Sequence, residues 1–150
     1  MKYSTRLSDA VHLMTFIHIN PKNDLSSGAI AVSIHTNPSY VRQMMAALKK
    51  SGLLNSTRGQ AKPSLARSPK EITLLDLYRA VEGEKPLLHL DTNINPDCNV
   101  GVNIQIALQE YYQEIQQATE KKMREITLED IVQSFYQKTG YQPPETLCWD

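Results

Sequence analysis

From residue 6 onward, apolar side chains recur every three or four positions, so most of the chain reads as amphipathic helices broken by turn residues. The first helix is expected from Arg6 to Ile19, with Leu7, Ala10, Val11, Met14 and Ile17 on one side and a stop at Asn20-Pro21. A shorter helix over Ser26 to Ile34 has serine at its start and Ile30 and Ile34 four apart. After only a few residues, Asn37 offers an N-cap and Pro38 fills the first helical position, where its missing N–H is not needed. In the helix that follows, Val41, Met44, Met45 and Leu48 fall within an arc of about 100°, and Gly52 ends it. Ser39, Arg42, Gln43, Ala46 and Lys50 gather on the opposite side. Two helices joined this tightly form a helix-turn-helix. The runs Leu53–Thr57 and Ser64–Arg67, either side of Arg58-Gly59-Gln60, predict a two-stranded wing.

The second half repeats the helical pattern with different spacing. Thr73 with Asp76 forms a capping-box variant, Ile72 and Leu77 can pack as a hydrophobic staple, and Gly83 closes that helix. A nearly identical start, Glu125-Ile126-Thr127-Leu128-Glu129-Asp130-Ile131, reads as the same capping solution used again and not as an internal repeat. Residues 84–100 lack periodicity and contain Pro86 and Pro96, which predicts a long loop. From Val102 to Arg124, Ile104, Leu108, Tyr111, Ile115 and Ala118 recur at spacings of four, three, four and three, within an arc of about 80°. Such a narrow seam suits a dimerisation helix; a helix buried in its own core is the alternative. Leu128, Ile131, Val132, Phe135 and Tyr136 mark a last helix ending at Gly140, and the tail 141–150, with Pro143-Pro144, is expected to be extended or mobile.

The fold class is therefore mainly α: a winged helix-turn-helix domain over 1–83 with a small two-stranded wing, a sensor loop over 84–101, a long C-terminal dimerisation helix and a final helix over 102–140, and a tail. A chain of 150 residues, 41% hydrophobic, holds one compact core or a small domain with an arm. No apolar run approaches the roughly 18 to 20 residues of a membrane span, and the N-terminus lacks a signal-peptide core, so a cytoplasmic address and no membrane partner are expected. In a reducing cytosol, Cys98 and Cys148 default to free thiols.

The net charge of zero conceals a division. Residues 1–70 hold ten Lys and Arg against two acids, a balance of plus 8, and residues 71–150 hold six against fourteen, minus 8. The basic half contains the helix-turn-helix, which points to a polyanion as its partner. On the polar face of the second helix of that unit, Arg42 and Gln43 can pair with base edges, Ser39 and Lys50 can hold phosphates, and Ala46 permits close approach. An ordinary solvated face is the alternative. Lys2, Tyr3 and Ser4 form either a phosphate-touching arm or a frayed terminus. His12 and His18, six apart, cannot share a metal as an i, i+4 pair can, and read as surface or packing residues. No nucleophile elbow, phosphate loop, zinc spacing or convergent carboxylate pair is present, so an enzyme is not expected.

Several of these stretches together resemble the Rrf family of bacterial winged-helix regulators, which includes the iron-sulfur cluster regulator, the nitric-oxide-sensitive repressor and the cysteine-metabolism repressor. The resemblance rests on residues 1–10 (Met1-Lys2-Tyr3-Ser4-Thr5-Arg6-Leu7-Ser8-Asp9-Ala10), on Ser39-Tyr40-Val41-Arg42-Gln43 through Leu48-Lys49-Lys50-Ser51-Gly52-Leu53, on Ile72-Thr73-Leu74 through Tyr78-Arg79-Ala80-Val81-Glu82-Gly83, and on residues 95–105, Asn95-Pro96-Asp97-Cys98-Asn99 to Gln105. It implies a homodimeric transcription regulator that binds double-stranded DNA at a near-palindromic operator, with the long helix crossing to the partner. Two recognition helices would then lie about one DNA turn, roughly 34 Å, apart. By carry-over, Ser39, Tyr40, Arg42 and Gln43 contact DNA and Arg58 probes the minor groove. The full set of expected DNA-facing residues is Lys2, Tyr3, Ser26, Ser27, Asn37, Ser39, Tyr40, Arg42, Gln43, Lys50, Arg58, Gln60 and Lys62. The wing departs from the glycine-rich form of many relatives, reading Gly59-Gln60-Ala61-Lys62-Pro63, which implies a stiffer or differently shaped wing.

A larger departure concerns the sensor. Cluster-binding relatives carry three cysteines before the long helix, whereas this loop has only Cys98, with His89 and Asp91 as poor substitutes, so no iron-sulfur cluster, no metal and no other cofactor is expected. Cys98 is instead either a redox-sensing thiol, which Cys148 could resolve as a disulfide, or an ordinary loop cysteine. Control by a small molecule held between the DNA-binding domain and the long helix is a further possibility, and an adaptor that has lost DNA binding is the rival from another class.

Overall fold

The computed structural model describes residues 3–57 and 62–141. Its elements are α1 (Arg6–Ile19), α2 (Ser27–Ile34), α3 (Pro38–Lys50), β1 (Leu54–Asn55), β2 (Ser64–Leu65), a 3-10 turn at Pro69–Glu71, α4 (Leu74–Glu82), α5 (Asn99–Glu125) and α6 (Leu128–Thr139). α1 lies at the centre, against α2, α4, α6 and β2, and α3 packs on α2 and α4. Their inward faces, including Ala10, Leu13, Met14 and Ile17 of α1, Ile30 of α2, Val41, Met44 and Leu48 of α3, and Leu77 of α4, make one core with almost no solvent exposure. Ile72 and Leu77, the pair expected to staple the start of α4, are both fully buried in it. The mainly helical winged helix-turn-helix architecture is thus the one its periodicity predicts.

Local chemistry explains where the elements begin. Asn37 accepts the Tyr40 amide at 2.9 Å and Ser26 accepts that of Ala29 at 3.2 Å, each satisfying an amide that the helix leaves unpaired. Between α2 and α3 the chain turns at His35, the one non-glycine residue with positive φ (64°) among the described residues. Its N–H and that of Thr36 return to Val32 and Ala31, closing α2 with reverse bonds of the kind that usually need glycine.

Two expectations change. The wing is shorter than its sequence suggests: β1 and β2 pair antiparallel over two residues each, Leu54 opposite Leu65 and Asn55 opposite Ser64. β-branched and aromatic residues, which favour extended pairing, are nearly absent from both runs. Also, α5 begins at Asn99 and not at Val102, because the Cys98 sulfur accepts the Gly101 amide at 3.4 Å and caps the helix there.

The two similar stretches starting at Ile72 and Ile126 prove to be partners. Leu74 donates to the Ile126 carbonyl and Leu128 to that of Ile72, both at 2.8 Å, so Thr73 and Thr127 form an antiparallel bridge. Each threonine also caps its own helix in a full capping box, with Asp76 and Asp130 returning the bond. The amide of Thr127, backed by its hydroxyl, holds the Asp130 carboxyl below the ordinary aspartate range. A lowered folded-state value means that this stabilisation is complete above the ordinary aspartate pKa and is lost as pH falls through the folded one. Asp130→Asn is therefore expected to lower the thermal midpoint at neutral pH, with the gap to the native protein closing in acid. A gap independent of pH would show that the charge of Asp130 contributes nothing.

Candidate nucleic-acid interface

The turn at His35 and the cap at Asn37 present α3 with one face to the core and the other to solvent. Ser39, Arg42, Gln43, Ala46, Lys49 and Lys50 are all exposed. The Arg42 guanidinium is held by two hydroxyls, donating to Ser27 Oγ at 3.2 Å and to Ser39 Oγ at 3.1 Å. Its fork therefore lies across the start of α2 and the first turn of α3. Bidentate geometry of this kind suits guanine in a major groove, where the two serines would exchange one hydrogen bond for another.

Tyr40 is placed differently. It is half-buried, and its hydroxyl donates to Asp9 Oδ2 on α1 at 2.8 Å. Burial, reinforced by that carboxylate, pushes the phenol up to about 12. Tyr40 thus ties α3 to α1. Its position about 40° from Met44 in helical projection is the signal that it leans inward. Lys49 is absent from the candidate set, yet it follows Arg42 by two turns and stands exposed beside Lys50.

The remaining candidates are spread around this face. Ser26 and Asn37 serve as caps, Ser27 supports Arg42, and Tyr3 is 82% exposed. Lys62 is exposed where the chain re-enters the wing, and with His18 and Pro21 it lines a shallow depression beside the end of α1. His12 bonds Ser33 of α2 at 2.8 Å. Lys2, Arg58, Gln60 and Cys148 lie outside the described residues.

α5 behaves unlike the other helices. None of its 27 residues is buried, although Ile104, Tyr111 and Ile115 are 45%, 61% and 46% exposed, with Ala118 exposed and Leu108 half-buried. Its C-terminal part is fixed to the body, where Arg79 meets Glu120 at 3.4 Å and Gln116 accepts the Leu87 amide at 2.9 Å. At its start, the exposed Cys98 is the one cysteine among the described residues, and no group of three His, Cys, Asp or Glu side chains able to hold a metal occurs among them. An iron-sulfur cluster needs several thiolate-type ligands, so the donors described here do not fit one.

A helix-turn-helix with an exposed basic second helix, followed by a wing, defines a winged-helix DNA-binding protein. The sequence pattern of the Rrf2 family, described as iron-dependent transcriptional regulators, matches residues 3–134, and the chain belongs to that family. YwnA of Bacillus subtilis (strain 168), named as an HTH-type transcriptional regulator, is 38% identical over 133 residues, covering 89% of this chain and 98% of its own. Among solved structures, one described as a DNA-binding protein is 39% identical, with a TM-score of 0.69 over 84% of this chain and 97% of that one. IscR of T. potens shares the fold at 24% identity and a TM-score of 0.68, over 95% of this chain and 93% of its own. The protein is a DNA-binding transcription regulator and not an enzyme, and no helix among the described residues is long and apolar enough to cross a membrane.

Proposed function

We propose that the protein acts as a homodimeric repressor at a near-palindromic operator, pairing through α5 and reading bases through α3. The observation that carries this reading is the apolar line of α5, which a single chain leaves facing water over Ile104, Tyr111 and Ile115. Exposed apolar stripes of this length belong against another surface, and a second copy supplies an identical one. Two-fold pairing would then place two copies of α3 on successive turns of the major groove.

Cys98, exposed at the start of α5, suits a redox input without a metal cluster. Reactive cysteines favour partly exposed helix N-termini. Hydrogen peroxide would take two electrons from the Cys98 thiol, giving a sulfenic acid and water; condensation with the Cys148 thiol would release a second water and leave a disulfide.

A gel shift on the DNA upstream of the protein's own gene tests the whole reading. A discrete complex is expected, with log affinity falling against log salt by about 0.9 for each phosphate contacted. Peroxide should change that affinity in the native protein and leave Cys98→Ser unaffected. A flat salt response would remove the operator reading, and an equal response of Cys98→Ser would remove the thiol sensor.

A further inference from the structure

A cavity of about 480 Å³ opens between α1 and α6, with no residue of α3 or α5 in its lining. Its size falls within the usual range for small-molecule sites, roughly 300 to 1,000 Å³. Val11, Phe16, Ile19, Ile131 and Phe135 make most of its wall, and Tyr141 closes one side with its ring centroid 5.2 Å from that of Phe135.

Ser8, His12, Thr15, Asn20, Ser33 and Tyr141 interrupt this apolar lining, and two of them, Thr15 and Asn20, each carry an unused oxygen. Asn20 is only 3% exposed. Its Nδ2 donates to the Phe16 carbonyl at 3.0 Å, which leaves Oδ1 as a buried acceptor with no partner. Thr15 Oγ1 is likewise buried and unpartnered. Buried polar atoms are ordinarily paired, so two orphans on residues that line one cavity mark a place where a ligand would supply the missing bonds once those side chains rotate toward it. Among the described residues no Lys, Arg, Asp or Glu lines the cavity, and the one histidine there, His12, is engaged with Ser33. A charged ligand would lose its hydration there without gaining a counter-charge.

We propose that this cavity binds a small uncharged hydroxylated aromatic molecule, its ring between Ile131 and Phe135 and its O–H donating to Asn20 Oδ1 while Thr15 Oγ1 donates back to the ligand oxygen. The site has a direct route to the DNA-binding face. α1 forms one wall, and the same helix holds Tyr40 of α3 through Asp9 and Ser33 of α2 through His12. A ligand that shifts α1 against α6 therefore pulls on both helices of the helix-turn-helix. Control of DNA binding rests on the regulator reading; binding itself does not.

The test uses the full chain and three probes of one shape: 2-naphthol, naphthalene and 2-naphthoate, titrated by fluorescence. 2-Naphthol should bind, with naphthalene and 2-naphthoate each weaker by about tenfold or more. Thr15→Val should weaken 2-naphthol by about tenfold and leave naphthalene unchanged, and Ile131→Trp, which fills the cavity, should abolish binding of both. Equal affinity for naphthol and naphthalene, or naphthol binding unaltered in both variants, overturns the site. If 2-naphthol binds but leaves the gel shift unchanged, the effector role is overturned; if no DNA complex forms without probe, the regulator reading fails instead.

Discussion

Replacing Ile115 by Asp is expected to separate the protein into single subunits and to cut operator affinity by about a hundredfold or more. Ile115 is 46% exposed in the lone chain and sits on the same line of α5 as Ile104 and Tyr111, so a carboxylate there would be buried without a partner on pairing. The loss at DNA is larger than the loss at the helix. Two linked recognition helices bind as one bivalent ligand, and unlinking them removes the effective concentration that the first contact gives the second, commonly worth about 10² to 10⁴ in affinity. Sedimentation and a gel shift on the same preparation read both effects. Gln109→Asp, about 140° round the helix from Ile104, should change neither. The proposal of pairing through α5 is lost if the native protein sediments as one subunit, or if Ile115→Asp still pairs.

The second large effect belongs to Arg42. Arg42→Ala should relax base preference at one position of each half-site by about 1 to 3 kcal/mol, roughly 5- to 150-fold. The guanidinium is already held in place by Ser27 and Ser39, so little side-chain freedom remains to be lost on binding. Lys50→Ala, by contrast, should weaken every sequence alike and reduce the salt slope by about one. Binding measured across operator variants, each altered at one base pair, separates the two. Uniform weakening by Arg42→Ala would move Arg42 from base reading to phosphate holding.

How much of this was legible from residues alone depended on distance along the chain. The range of α1 matches its apolar period to the residue, and the start of α3 follows from Asn37 and Pro38, because caps and periodicity are local. The tie of Tyr40 to α1 was not legible: its hydroxyl goes to Asp9, 31 residues earlier, and no local pattern announces that partner. The Thr73–Thr127 bridge was equally hidden. Two similar capping sequences look like a habit of helix starts, and only the fold shows that they face one another. The seam of α5 could be read as a stripe, but its exposure could not, since the same spacing serves a helix buried in its own core. The cavity between α1 and α6 draws its lining from residues 8–20, Ser33 and residues 131–141, and no single stretch announces it.

The bridge also has a mechanical meaning. With the end of α5 locked to the root of α4 through Ile72, Leu74, Ile126 and Leu128, the long helix is a cantilever clamped at one end, with Cys98 near its free tip. At 1.5 Å per residue the stretch from Asn99 to Ile115, ahead of the attachment at Gln116, extends about 25 Å, so a small force at the tip becomes a large torque at the clamp. Whatever engages that tip, whether a twin subunit or an oxidant, would gain leverage on the whole body without touching it.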